Sequence, residues 1–292
     1  MNFCKTRVSL KHKIVISIAV ILIIFAVLLL SVVSDRNNEF LRHQKEVAEV
    51  VTSKLANEVQ KIFIYKKKLM KAFLEDEKEL LLKIVNDFDD DQLYDTLNKK
   101  IKRYFYDFFT SSIASDKGDL LKFSMGEIGD ICVLDMKTYL ETGEYKTRIH
   151  PNAYLYHYDI LVSLILNGKK YLFISTFSSE EIVKLLHISS PMNHKLFIVN
   201  RDDKNLIEVT AKGSRDVLHK QGKLYLSDKE QKHILASKKI DGTFWHIVDS
   251  YDESSFEENR QRLIRNYSLI FAIFTIIIIL LGRFVLFSMK KD

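Results

Sequence analysis

Twenty consecutive uncharged and mostly aliphatic residues, Ile14 to Val33, constrain this chain more than any other feature. As a helix at about 1.5 Å per residue the run measures about 30 Å, the thickness of a bilayer core. Lys5, Arg7, Lys11 and Lys13 precede it, and a basic flank holds that side of a span in the cytoplasm. A cleaved signal peptide is the competing reading. The apolar run is too long for one, and Ser31-Val-Val-Ser34 is a poor cleavage site. A second apolar segment, Tyr267 to Phe287, is interrupted only by Arg283, which can snorkel to the headgroups. Lys290 and Lys291 follow it. The expected organisation is a cytoplasmic N-terminus (1–13), a transmembrane helix (14–33), an external domain, a second transmembrane helix (267–287) and a cytoplasmic tail (288–292). Such a chain sits in a membrane, in contact with lipid. So short a tail leaves no room for an output domain, so the chain is either a fragment or works through a signalling partner.

Composition narrows the rest. A formal charge of +6 does not point to nucleic acid, because much of the excess lies in the basic N-terminal flank. The two cysteines, Cys4 and Cys132, fall on opposite sides of the expected membrane and cannot pair within one chain.

Between the spans the hydrophobic period changes once. Val47, Val51, Leu55, Val59, Ile62, Leu69 and Phe73 recur at helical spacing, with no proline or glycine to break the pattern. Shorter helices follow, and 111–118 reads as a loop. From Leu120 the period is two. Leu120–Ser124 and Ile131–Leu134 read as short strands around the Gly126 and Gly129 turns, and Tyr154–Leu166 as a long one. Asn167-Gly168 is a two-residue hairpin signal, since both positions of a type I′ turn need positive φ. Lys169–Phe177 returns, and Ser178-Ser179-Glu180-Glu181 opens a short helix. Lys195–Asn200 and Leu206–Thr210 form a hairpin, Leu224–Leu226 a weak strand, and Ile234–Ile240 and Thr243–Asp249 a hairpin closed by Asp241-Gly242. An amphipathic helix, Glu253 to Arg265, leads into the second span. The fold class expected is α+β: two transmembrane helices flanking a long helix and two PAS-like antiparallel modules, 35–186 and 187–264.

The strand-to-helix run Lys170–Leu186, the hairpin Leu196–Leu206 with its Asp-rich turn, and Gly242-Thr-Phe-Trp-His-Ile-Val-Asp249 before an acidic linker and a final helix resemble the Cache family of bacterial extracytoplasmic sensor domains, in its double-module form. The resemblance implies a protein of the bacterial inner membrane, a periplasmic small-ligand pocket in the membrane-distal module and a homodimer along the long helix. It leaves the output open among cyclase, phosphodiesterase, kinase and chemoreceptor.

The densest polar and aromatic stretch is Tyr145–Asp159. Tyr154, Tyr156 and Tyr158 share one face of a strand, and Leu155, His157 and Asp159 the other. Arg148 can grip a carboxylate. The expected ligand set is therefore Arg148, Tyr154, Tyr156, Tyr158 and Asp159 around a small, anionic molecule; a half-buried strand is the plain alternative. Trp245 reads as a core anchor. His150 and His157, or the acidic run 87–91, are the candidates for a metal, but the run reads as a solvated face or helix start, Cys132 and His246 have no partner at metal-like spacing, and no metal is expected. No catalytic motif is present, so neither an enzyme nor a cofactor is expected. The rival to a sensor is a structural or regulatory inner-membrane protein, such as a polysaccharide chain-length regulator or an assembly partner.

Overall fold

The computed structural model describes residues 10–123, 130–150, 156–215 and 224–288. The chain divides into two compact units, one reaching to Lys45 and resuming at Glu253, the other Glu46–Asp252.

The first unit contains the apolar parts of two helices, α1 (Leu10–Asp76) and the last helix, α7 (Glu253–Ser288). Both are long and apolar enough to cross a membrane. Phe25 packs on Phe271 and Phe274. Gly282 lies against Ile18, so close that an added Cβ would come within 2.5 Å of the Ile18 Cδ1.

The second unit is α+β, with two antiparallel sheets. Here α1 buries Ala48, Thr52, Leu55, Val59, Lys66, Met70 and Phe73, one face at spacings of three, four and seven. Two short helices, α2 (Lys78–Asn86) and α3 (Asp91–Tyr104), complete that layer. The Asp90 side chain caps α3 by accepting from the Gln92 and Leu93 amides.

Four strands form the first sheet: β1 (Phe108–Ser115), β2 (Leu120–Phe123), β3 (His157–Leu166) and β4 (Lys169–Ser178), in the order β2-β1-β4-β3. The β3–β4 hairpin pairs in unbroken register from His157↔Ser178 to Leu166↔Lys169, and its turn residues Asn167 and Gly168 have φ of 49° and 74°. Alternation along β3 sends Tyr158, Ile160 and Val162 into the core shared with α1, and Leu161 to the opposite face. There it meets Met136 and Tyr139 of α4 (Asp130–Thr142).

The second sheet has the order β7-β6-β5-β9-β8, from β5 (His194–Asn200), β6 (Leu206–Thr210), β7 (Gly213–Ser214), β8 (Ile234–Lys239) and β9 (Trp245–Tyr251). Helices α5 (Glu180–Ser189) and α6 (Asp228–Lys232) belong to the connections. Ser227 and Glu230 close a capping box on α6. Trp245 is fully buried against Phe63 and Tyr158. One core therefore joins α1 to both sheets.

Two sequence expectations are corrected. Residues 111–115 of the expected loop 111–118, with Phe108 from the expected helices, form β1, an inner strand of the first sheet. Its Thr-Ser-Ser hides the pattern, because the strand lies between neighbours and the Ser111 hydroxyl is satisfied by Tyr94 and Asn98. Ile131–Leu134, read as a strand, opens α4; four apolar residues do not distinguish the two, and the deciding spacing is Cys132, Met136 and Tyr139. Leu224–Leu226 contributes a single bridge, Leu206↔Tyr225. The Gly126 and Gly129 turns lie outside the described residues.

Candidate functional site

Two polar constellations occupy opposite faces of the first sheet. On the α1 face, Lys66 is buried, with its ammonium on Asp107, on Glu181 Oε2 at 2.9 Å and on the Tyr158 hydroxyl at 3.0 Å. It also lies over the rings of Phe177 and Tyr158, at 4.7 and 5.6 Å. Burial raises the Asp107 carboxyl above its ordinary value although Lys66 pulls it down, and Asp107 Oδ1 has no hydrogen-bond partner among the described residues. Beside this group opens a cleft of about 420 Å³ lined by α1, the 104–107 connection and Glu181. Glu58 and Lys61 neutralise each other at 2.9 Å. The remaining Lys66, Asp107 and Glu181 leave one net negative charge. Tyr104 and Tyr106 are exposed at the rim.

On the α4 face, backbone pairing builds the second constellation. His150 and His157 form an antiparallel bridge, with the His150 amide on the His157 carbonyl at 2.7 Å and the return bond at 3.2 Å. Directly opposed residues project to the same side. Asp159 lies two residues further along β3 and shares that side, and Cys132 comes in from α4. Cys132 Sγ is 2.9 Å from His150 Nδ1 and 4.0 Å from His157 Nε2. Asp159 is 3.0 Å from His150 Nδ1 and 3.7 Å from His157 Nε2. All four side chains are buried, and one donor atom from each lies within 4.8 Å of every other. Around them, His150 Nε2 meets Asp135 Oδ2 at 2.9 Å, Arg148 holds Asp135 through Nη2 at 2.5 Å, and Thr176 donates to Asp159 Oδ1 at 3.0 Å.

The charges are coupled. Burial disfavours the His150 imidazolium, but Asp159 and Asp135 outweigh it and raise this histidine well above its ordinary value. Burial also opposes the Asp159 carboxylate, but His150 and His157 lower it. Burial pushes the Cys132 thiol up.

The ligand set expected from the sequence is distributed between these faces. Tyr158 belongs to the Lys66 group and Asp159 to the histidine group, as alternation on one strand requires. Arg148 is engaged by Asp135 and stacks at 5.2 Å on Phe244. Tyr156 lies under Arg215 at 5.5 Å, and Tyr154 is outside the described residues. Lys66, Asp107, Glu181 and Asp135 carry no such signal in the sequence, and Cys132, which sequence spacing leaves without a partner, lies against His150. The sequence signal for the second group was His150, His157 and Asp159 within ten residues; what it lacked was the helix that supplies Cys132.

No family profile matches the chain, and no curated protein sequence matches it. Solved structures do. The chain is similar to the ligand-binding domain of the Pseudomonas fluorescens chemoreceptor CtaA in complex with L-isoleucine, at 12% identity over 76% of this chain and 98% of that one, TM-score 0.47. It is similar to the sensory domain of the Campylobacter jejuni chemoreceptor Tlp3 with isoleucine bound, at 11% identity over 77% and 97%, TM-score 0.48. A third is the sensor domain of the V. cholerae histidine kinase DctB, at 10% identity over 75% and 99%, TM-score 0.47. These neighbours are sensor domains of chemoreceptors and a histidine kinase.

Proposed function

We propose that this chain is a membrane-anchored extracytoplasmic sensor that takes a small amine-bearing molecule in the cleft beside Lys66 and reports occupancy through α1. The carrying observation is that Lys66, the cation held by Asp107 and Glu181, is itself a residue of α1. A ligand ammonium competing for those carboxylates loosens α1 from the 104–107 connection and α5, and the apolar segment 14–33 belongs to that same helix. The net negative charge favours a cation. The anion expected from Arg148 loses its support, because Asp135 occupies that guanidinium. Both chain termini are cytoplasmic in this reading, and the domain lies outside the bacterial inner membrane. Exposed Val50, Ile64 and Tyr65 on α1 support a second copy packing along that helix.

The test is calorimetry on the full chain in detergent micelles, with alkylamines, amino acids and simple carboxylates titrated separately. Amine-bearing members bind, carboxylates alone do not, and Glu181→Gln weakens binding by about tenfold or more, the worth of one charged hydrogen bond. The reading fails if no amine binds, or if Glu181→Gln binds as well as the parent.

A further inference from the structure

We infer that Cys132, His150, His157 and Asp159 form a closed four-coordinate site for a divalent transition metal of the zinc type. The site is separate from the amine cleft and does not depend on the sensor reading.

The donor set is one thiol, two imidazoles and one carboxylate, the ligands zinc takes in tetrahedral protein sites. From ordinary Zn–S and Zn–N lengths, tetrahedral donors stand about 3.6 Å apart for sulfur and nitrogen and about 3.4 Å for nitrogen and oxygen. The sulfur stands 2.9 and 4.0 Å from the two histidines, and Asp159 stands 3.0 Å from His150 through Oδ2 and 3.7 Å from His157 through Oδ1. These values bracket the tetrahedral ones and all four donors lie within 4.8 Å of one another, so a central ion requires shifts of up to about an ångström. Rigid elements present the donors: a helix, a hydrogen-bonded histidine pair and the strand that continues it.

The surroundings are those of ligated metal. His150 offers Nδ1 to the centre while Nε2 meets Asp135, which fixes ring orientation and raises basicity. Arg148 neutralises Asp135. Thr176 donates to Asp159, and the Tyr145 hydroxyl to its carbonyl. With the Cys132 thiolate and the Asp159 carboxylate, a dication leaves the buried group neutral. A metal deprotonates a coordinated thiol outright. Four protein donors leave no open position for water, so the ion is structural and not a catalytic centre. A Cys132–His150–Asp135 nucleophilic triad fits less well, because Cys132 is buried away from any substrate.

The ion would clamp α4 to β3 through the segment 145–150. That segment also joins the second sheet, where the Thr147 amide bonds the Gly242 carbonyl and the Phe244 amide bonds the Thr147 carbonyl, both at 3.1 Å. Loading the site thus steadies both sheets.

The test uses the full chain carrying Cys4→Ser, in detergent micelles, stripped with a chelator and given one equivalent of Co²⁺. We expect one ion per chain after gel filtration, a thiolate-to-cobalt charge-transfer band with intense visible bands of a tetrahedral centre, and loss of both on adding Zn²⁺. Cys132 is then the sole thiol, so absence of the charge-transfer band overturns the proposal without any site variant. Cys132→Ser removes the band, and Asp135→Asn weakens binding by about 10- to 100-fold. Unchanged metal content in the Cys132→Ser, His157→Gln double variant, folded by circular dichroism, also overturns it; the group is then only a protonated histidine held between carboxylates.

Discussion

Lys66 and Glu208 carry the charge decisions that can be tested one residue at a time. Lys66 and Asp107 are both buried, so removing the cation alone strands a carboxylate. Lys66→Met is expected to cost about 3–5 kcal/mol, and the double change Lys66→Met with Asp107→Leu distinctly less than the sum of its parts. Denaturation of the two variants and the double mutant checks this. Glu208 on β6 faces Arg215 at 3.6 Å, and burial pushes its carboxyl up from 4.5 to about 7 despite that cation. Between those values the folded chain keeps a proton that the unfolded chain releases. The contribution of Glu208 to stability is therefore greatest below its unfolded value and falls as pH rises to about 7, by roughly 3 kcal/mol. Glu208→Gln abolishes that fall, so thermal melts at pH 5 and pH 8 should show the variant gaining on the parent only at the higher pH. Residue chemistry of this kind was barely legible beforehand. Asp159 reads as a ligand residue from the sequence, but its partners His150 and Cys132 stand 9 and 27 positions away and come together only through α4 and a bridge that no periodicity announces.

Elements differ in how openly the sequence declares them. The β3–β4 hairpin was readable because one dipeptide fixes its turn: Gly168 has φ of 74°, a region where an L side chain is strained. Gly168→Ala should cost about 1–2 kcal/mol, measured as a shift in denaturation midpoint, with no loss of metal or amine binding. The hairpin over Asp241-Gly242 was readable for the same reason, and Gly242 has φ of 76°. Strand β1 was not, since Thr110, Ser111 and Ser112 look like loop residues until Tyr94 and Asn98 satisfy Ser111. Helix α4 was missed because its apolar face is carried by Cys132, Met136 and Tyr139, while Ile131-Cys-Val-Leu134 taken alone reads equally well as a strand. Long α1 was the easiest, an unbroken helical period with nothing to stop it.

For the molecule as a whole, two long apolar helical segments flank the two-sheet unit in the sequence. Within the first unit, Ile18 and Gly282 are close enough that any side chain at 282 displaces Ile18. Small residues let membrane helices approach in this way. That contact offers a direct reading of whether the cleft speaks to the helices. In native membranes, a chain with Cys4→Ser, Ile18→Cys and Gly282→Cys is oxidised with and without the amine identified by calorimetry, and the rate of intrachain disulfide formation is followed. The account predicts that the disulfide forms, that its rate changes severalfold when the amine is present, and that Glu181→Gln removes the change. A rate that is the same with and without a bound amine would contradict it.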